Sequence, residues 1–197
     1  MKPGGSKEKG ANYERTVARR LSMWLTESAR NDLFWRSAMS GGRATLAMKA
    51  HRRGAVTGVA DAHAGDLSAT HEIGLLFLKF FTVECKHWKS YRWHAAIDLY
   101  EGNRKQNFRA AWVSAMEGLA CGRQPLLMLK ERSSEKVVTT REGIALLRLG
   151  VPRWSDFKWS ACLRVPGLSD AYIFRMLDFL EHVEGPRLIR KMGKVRS

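Results

Sequence analysis

An acid and an amine lie two residues apart at the end of an apolar run, in the stretch FTVECKHWK, and another acid precedes them. These are Glu84, Lys86 and Asp66. Side chains of a strand alternate between its two faces, so Glu84 and Lys86 should share one face. If the segments ending at Asp66 and Glu84 pair as an antiparallel hairpin centred near residue 75, their carboxylates lie side by side. Adjacent carboxylates repel each other unless a cation lies between them, so the spacing predicts a cation site.

Magnesium suits such a site, because it prefers carboxylate and water oxygens and uses only one or two protein carboxylates. We expect Asp66, Glu84 and the carbonyl oxygen of Cys85 as ligands, with Mn²⁺ as a substitute ion. Lys86 could reach a metal-bound water or a phosphate oxygen, and Glu14 could supply a third carboxylate. A cation, a positioned water and a positive group are the parts of phosphodiester hydrolysis.

The charge of the chain indicates what carries that phosphate. The 197 residues include 34 Lys and Arg against 19 Asp and Glu, a formal net charge of +15. Such an excess, spread through a globular sequence, favours nucleic acid over a membrane surface as partner. Cys85, Cys121 and Cys162 have no CxxC spacing, which favours a reducing compartment. We also expect a soluble protein, since no apolar run reaches transmembrane length.

The elements that must position these residues alternate between helix and strand. Apolar spacing predicts a first helix from Ala11 to near Ala29, carrying Glu14, and the run from Gly74 to Lys86 reads as a buried strand. Later elements should be a short strand at 33–35, a helix from Phe108 closed by Gly122, strands in PLLMLKE and KVVTT, a helix capped by Thr139 with Glu142, and a last helix over 169–184. The order predicts one α/β domain at 10–150, a flexible basic terminus at 1–9 and a helical, basic extension at 151–197.

At Asp66, Glu84 and Lys86, with Glu14 on the first helix, the sequence resembles the PD-(D/E)XK nuclease superfamily. The opening KGANYERTVARRL and the SGG at 40–42 look most like the archaeal-type Holliday junction resolvases and their phage relatives. The resemblance covers roughly 9–130. The chain departs from the superfamily pattern in having Gly65 rather than proline before Asp66, and in a long basic insertion after Ser40.

This resemblance implies a restriction-endonuclease-like core of helix, mixed central β-sheet and helix, here with a C-terminal helical appendage. It also implies a magnesium-dependent endodeoxyribonuclease with Asp66, Glu84, Lys86 and Glu14 as catalytic residues. By analogy with resolvases, the substrate would be branched or duplex DNA, and a homodimer would suit incision of two strands. The expected setting is the cytoplasm of a bacterial, archaeal or phage-infected cell, with a role in DNA recombination or repair.

Several basic and polar residues could contact DNA. The candidates are Ser40, Arg43, Lys49, Arg52, Arg53, His87, Lys89 and Arg92. Most of the arginines and lysines lie where few acids compensate them, which favours phosphate contacts. Trp88, Tyr91 and Trp93 suit stacking on unpaired bases and suit a satellite core equally well.

Two alternatives stay open at this point. Asp61 is a rival to Asp66, although it would lie on the opposite face of its segment. A non-catalytic nucleic-acid-binding module on the same fold would explain the basic charge without hydrolysis.

Overall fold

The computed structural model describes residues 5–37, 63–88, 108–153, 155 and 157–195. Within these ranges it has six helices and eight strands. The helices are α1 (Gly5–Leu25), α2 (Glu72–Phe80), α3 (Phe108–Met116), α4 (Arg141–Leu147), α5 (Met176–His182) and α6 (Gly185–Val195). The strands are β1 (Phe34–Arg36), β2 (His63–Ala64), β3 (Leu67–Ala69), β4 (Phe81–Trp88), β5 (Gln124–Glu131), β6 (Ser134–Thr139), β7 (Ala161–Leu163) and β8 (Ala171–Arg175).

A mixed five-stranded sheet with the order β4-β5-β6-β8-β7 forms the centre. β4 and β5 are parallel, and the other neighbours are antiparallel. A small antiparallel sheet, β1-β3-β2, lies beside the edge strand β4 and meets it through a parallel bridge between Gly65 and Val83. The described part of β4 therefore pairs along its length with β5 on one side, and on the other side it meets the turn between β2 and β3 at Gly65.

Alternation along the strands sends side chains into two hydrophobic clusters, one on each face of the sheet. Val83 and Met128 belong to the cluster that includes residues of α1, α2, α4, α5 and α6. Leu127 and Val138 belong to the cluster formed with α3, whose Trp112 is fully buried. The predicted α/β core of helix, mixed sheet and helix is therefore confirmed. Within the described ranges, none of the helices combines the length and apolar character that a bilayer crossing requires.

The strand predicted from Gly74 to Lys86 is wrong over its first half. Glu72–Phe80 form α2, with His71 accepting a hydrogen bond from the Ile73 N–H at its start, and the strand begins only at Phe81. One face of α2 is buried through Phe77, and the opposite face exposes Leu75 and Lys79. A short, nearly continuous apolar run does not distinguish a strand from a buried helix, and this one contains both.

Other predicted boundaries shift as well. α1 begins at Gly5, within the segment predicted to be flexible, and ends at Leu25, before Glu27 and Ser28 adopt positive φ. Thr140, rather than Thr139, caps α4 by accepting from the Gly143 N–H, because Thr139 is the last residue of β6 and donates to the Pro125 carbonyl.

The segment after Gly150 also differs from its prediction. The single helix expected over 169–184 is wrong: it is strand β8 followed by α5. The tail expected to follow a stop at Gly185 continues as helix α6. The segment therefore adds two strands, β7 and β8, to the central sheet, in addition to its helices.

Candidate active site

Strand β4 fixes Glu84 and Lys86 on the face of the sheet that α3 covers. Its alternate residues Val83 and Cys85 are buried in the cluster on the other face. The Lys86 ammonium forms an ion pair with Glu84 Oε1. The hydroxyl of Ser114, on α3, donates to the same oxygen over 3.1 Å. Glu84 is only 8% exposed, so its carboxylate charge is held by two donors inside the protein.

Asp66 lies at the edge of β4 that faces away from β5 and is hydrogen-bonded to β4 twice. Its backbone N–H donates to the Val83 carbonyl over 2.8 Å, and its carboxylate Oδ2 accepts from the Cys85 N–H over 2.7 Å. The Ser37 N–H, just after β1, donates to the Asp66 carbonyl over 2.8 Å. These contacts hold the carboxylate of Asp66 next to the strand that carries Glu84.

Gly65 makes this approach possible. Its φ is 85°, a left-handed conformation that glycine adopts without strain. A Cβ at this position would lie 2.3 Å from the Val83 carbonyl oxygen, closer than any real contact. A proline, whose ring fixes φ near −65°, could not adopt this backbone. The glycine that departs from the superfamily pattern is therefore what the observed backbone requires.

The electrostatics of the site show an excess of negative charge. Burial and the neighbouring Glu84 raise the pKa of Asp66 to about 7, although the Cys85 N–H and Lys86 act in the opposite direction. Burial lowers the pKa of Lys86, but Glu84 and Asp66 outweigh that effect and hold it above its usual value, so the ammonium stays charged. One lysine therefore does not compensate the carboxylates around it.

Glu14, on α1, is a third carboxylate near the pair of Asp66 and Glu84. It is buried, pairs with Arg36 of β1, and its charge contributes to the raised pKa of Asp66. α1 thus brings a third carboxylate into electrostatic contact with the Asp66 and Glu84 pair. In the described part of the chain, no three His, Cys, Asp or Glu side chains form a cluster arranged to hold a metal ion.

The donors present nevertheless fit Mg²⁺. Asp66 and Glu84 are oxygen ligands with negative charge that protein groups only partly neutralise, and Mg²⁺ needs no more than one or two carboxylates, with water completing its shell. The N–H and C=O of one strand residue point to the same side, so the Cys85 carbonyl faces the edge at which Asp66 lies. The Cys85 thiol belongs to the buried cluster, and burial together with the nearby carboxylates raises its pKa well above the ordinary value.

Only one of the predicted DNA-contacting residues lies in the described ranges. His87 is half-buried, with its ring 5.7 Å from that of Tyr13 and its Nδ1 3.5 Å from the Lys9 carbonyl oxygen. Ser40, Arg43, Lys49, Arg52, Arg53, Lys89 and Arg92 lie outside the described residues, as do Asp61, Tyr91 and Trp93. Trp88 is buried in the cluster under α3, so its ring packs against the core.

Ser114 and Arg36 contact the site but were not among the residues predicted from the sequence. Ser114 adjoins Ala115 in a helix assigned to the core. A polar residue beside the apolar stripe of that helix was the feature of the sequence that could have identified it. Arg36 directly follows the short predicted strand, and a basic residue there could have been paired with the buried acid of the first helix.

Comparison with protein families gives one match that covers most of the chain. The model of the family described as "Phage putative PDDEXK endonuclease" matches residues 5–149. No curated protein and no solved structure matches the chain. The matched range includes every element that carries Glu14, Asp66, Glu84, Lys86 and Ser114.

Proposed function

Since the chain belongs to this family of phage PDDEXK endonucleases, we propose that it is a divalent-metal-dependent endodeoxyribonuclease whose site is centred on Asp66, Glu84 and Lys86. The observation that carries the proposal is the contact between the Cys85 N–H and Asp66 Oδ2, which places the Asp66 carboxylate against the strand of Glu84 and Lys86. Placing buried carboxylates close together destabilises their charged forms, and the raised pKa of Asp66 reflects this destabilisation. A divalent cation would relieve it.

Asp66, Glu84 and the Cys85 carbonyl would hold the ion, with Mg²⁺ preferred and Mn²⁺ a substitute. When bound, the ion would supply positive charge to the scissile phosphate and would acidify an attacking water. Lys86 keeps its proton, so its ammonium can donate to a phosphate oxygen or orient the water. Glu14, held by Arg36, would hold a metal-bound water.

DNA is the substrate that family membership implies, and the charge of +15 favours it. We further propose branched DNA as the preferred structure and a homodimer as the active form, in analogy with junction resolvases. Ser40, Arg43, Lys49, Arg52, Arg53, His87, Lys89 and Arg92 remain the proposed DNA contacts.

A cleavage assay tests the activity. Labelled four-way junction, duplex and single-stranded DNA are incubated with the protein in Mg²⁺, Mn²⁺ or EDTA. We expect cleavage with either metal, none in EDTA, and the highest rate on the junction. Lys86→Met should lower the rate by about 100-fold or more, as loss of a group that stabilises transition-state charge does. The control Lys79→Met removes an exposed lysine from α2 and should cut within twofold of the parent.

Two results would contradict the proposal. Binding of all three DNAs without metal-dependent cleavage would favour a nucleic-acid-binding module on the same fold. Cleavage by Lys86→Met and Asp66→Asn at the parent's rate would place the active site elsewhere.

A further inference from the structure

Ser114 contacts the site from α3, the helix that covers the sheet face on which Glu84 stands. We propose that Ser114 is a positioning residue that holds Glu84 in place when Lys86 turns from Glu84 to the phosphate of the DNA. This inference rests on the proposed function.

The first support is the way the Ser114 hydroxyl is used. A serine inside a helix commonly donates to the carbonyl four residues earlier, as Ser22 does to the Ala18 carbonyl in α1, over 2.8 Å. Ser114 donates instead to Glu84 Oε1, over 3.1 Å, across the gap between α3 and the sheet. The hydroxyl thus serves the carboxylate of another element.

The second support is that Glu84 Oε1 has two donors of different kinds. Lys86 is on the same strand, and about a third of its side chain is exposed, so it can move toward a ligand. Ser114 is short and is fixed to a helix. A buried carboxylate that loses a donor pays a desolvation cost and becomes free to rotate. With Ser114 in place, Oε1 keeps one donor after Lys86 has moved, and the direction of the other oxygen stays fixed.

The third support is the rigidity of the helix that carries Ser114. Ala111 and Ala115 are buried against the sheet, and Trp112 is fully buried. The Trp112 indole N–H also donates to the Ser169 carbonyl over 3.0 Å, which ties α3 to the segment before β8. Rigid support of this kind is what a metal-binding carboxylate needs, because small displacements of a ligand lower activity strongly.

Ser114→Ala tests the inference, with Ser114→Thr as the variant that keeps the hydroxyl. We expect Ser114→Ala to lower kcat roughly 10-fold, the usual effect of losing a hydrogen bond to a charged group, with KM for DNA unchanged. The concentration of Mn²⁺ needed for half-maximal rate should rise, and Ser114→Thr should recover most of both losses. Val113→Ala, at the exposed neighbouring position on the same helix, is the matched control and should equal the parent.

Calorimetric titration of the DNA-free protein with Mn²⁺ gives a readout that does not depend on cleavage. Ser114→Ala should bind Mn²⁺ several-fold more weakly than the parent at a temperature at which both proteins are folded. If the parent cuts DNA and Ser114→Ala equals it in kcat and in Mn²⁺ affinity, the inference is overturned and the proposed function stands. If the parent cuts no DNA, the proposed function fails, and weaker Mn²⁺ binding by Ser114→Ala still supports the positioning role. Absence of Mn²⁺ binding by the parent overturns the inference.

Discussion

Replacing Asp66 by asparagine should make the metal-free protein more stable at neutral and alkaline pH. In the folded protein, burial and Glu84 raise the pKa of Asp66 from 3.8 to about 7. Well below pH 4 the carboxyl is protonated in both the folded and the unfolded chain. As the pH rises toward 7, the unfolded chain loses this proton first, so the free energy of unfolding falls. Asparagine is neutral throughout and escapes that loss.

The size of the effect follows from the raised pKa. A tenfold preference for the protonated form is worth about 1.4 kcal/mol, so the full rise corresponds to roughly 4 kcal/mol at pH 8, as an upper limit. Asparagine Oδ1 can still accept the hydrogen bond from the Cys85 N–H, so the gain in stability should not be cancelled by an unpaired backbone N–H at Cys85.

Urea unfolding of the parent and of Asp66→Asn at several values between pH 4 and pH 8, in EDTA, measures this difference. Carboxylates that do not interact with Asp66 titrate in the same range in both proteins and cancel in the comparison. Asp32→Asn is the control: Asp32 is exposed, and Arg30 holds its pKa below the usual value, so its removal should give no gain at pH 8. A stability difference between parent and Asp66→Asn that is constant across this range would refute the reasoning.

Magnesium should reduce the stability advantage of Asp66→Asn over the parent. A ligand that binds only the folded state at 100 times its Kd stabilises it by about 2.7 kcal/mol. At pH 8 the parent should gain this stabilisation, and Asp66→Asn should gain much less. Equal stabilisation of the two proteins by Mg²⁺ would argue against Asp66 as a ligand.

Two further predictions concern the fold that supports the site. Gly185→Ala should destabilise the protein, because the new Cβ would lie 2.3 Å from the Trp24 carbonyl oxygen. In the same helix, α6, the Cβ of Gly193→Ala would meet its nearest atom at 3.9 Å, so this variant should be neutral or more stable by up to about 1 kcal/mol. Thermal unfolding of the two variants measures the difference. Trp112→Ala should cost about 3–5 kcal/mol in urea unfolding, the usual effect of emptying a large buried site, and an unchanged midpoint would contradict the assignment of Trp112 to the core.

The sequence predicted the neighbours in the site better than the elements between them. The predicted hairpin register placed Asp66 beside Glu84, and in the structure Asp66 contacts the backbone of Val83 and Cys85. The hairpin itself was wrong, because helix α2 intervenes and the bridge at Gly65 is parallel. The alternation that put Glu84 and Lys86 on one face depends only on local strand geometry, so it holds although the predicted hairpin was wrong.

Contacts between distant segments lay beyond the reach of sequence patterns. Ser114 is thirty residues from Glu84, and no periodicity relates the two. The ion pair between Arg36 and Glu14 likewise depends on how α1 packs against β1. Helix α2 was not predicted because its residues are as apolar as those of a buried strand. Only the structure shows that one face of this helix is buried, through Phe77.

Among the strands of the described residues, β4 lies at the edge of the central sheet, and this position explains how the site is assembled. An edge strand presents unpaired N–H and C=O groups that usually have to be covered. Here Asp66 covers two of them, with its N–H on the Val83 carbonyl and its carboxylate on the Cys85 N–H. The next carbonyl along that edge is that of Cys85, and the side chains of Glu84 and Lys86 stand on the adjoining face. The same edge geometry therefore satisfies the backbone of β4 and brings together the oxygens proposed to hold the metal ion.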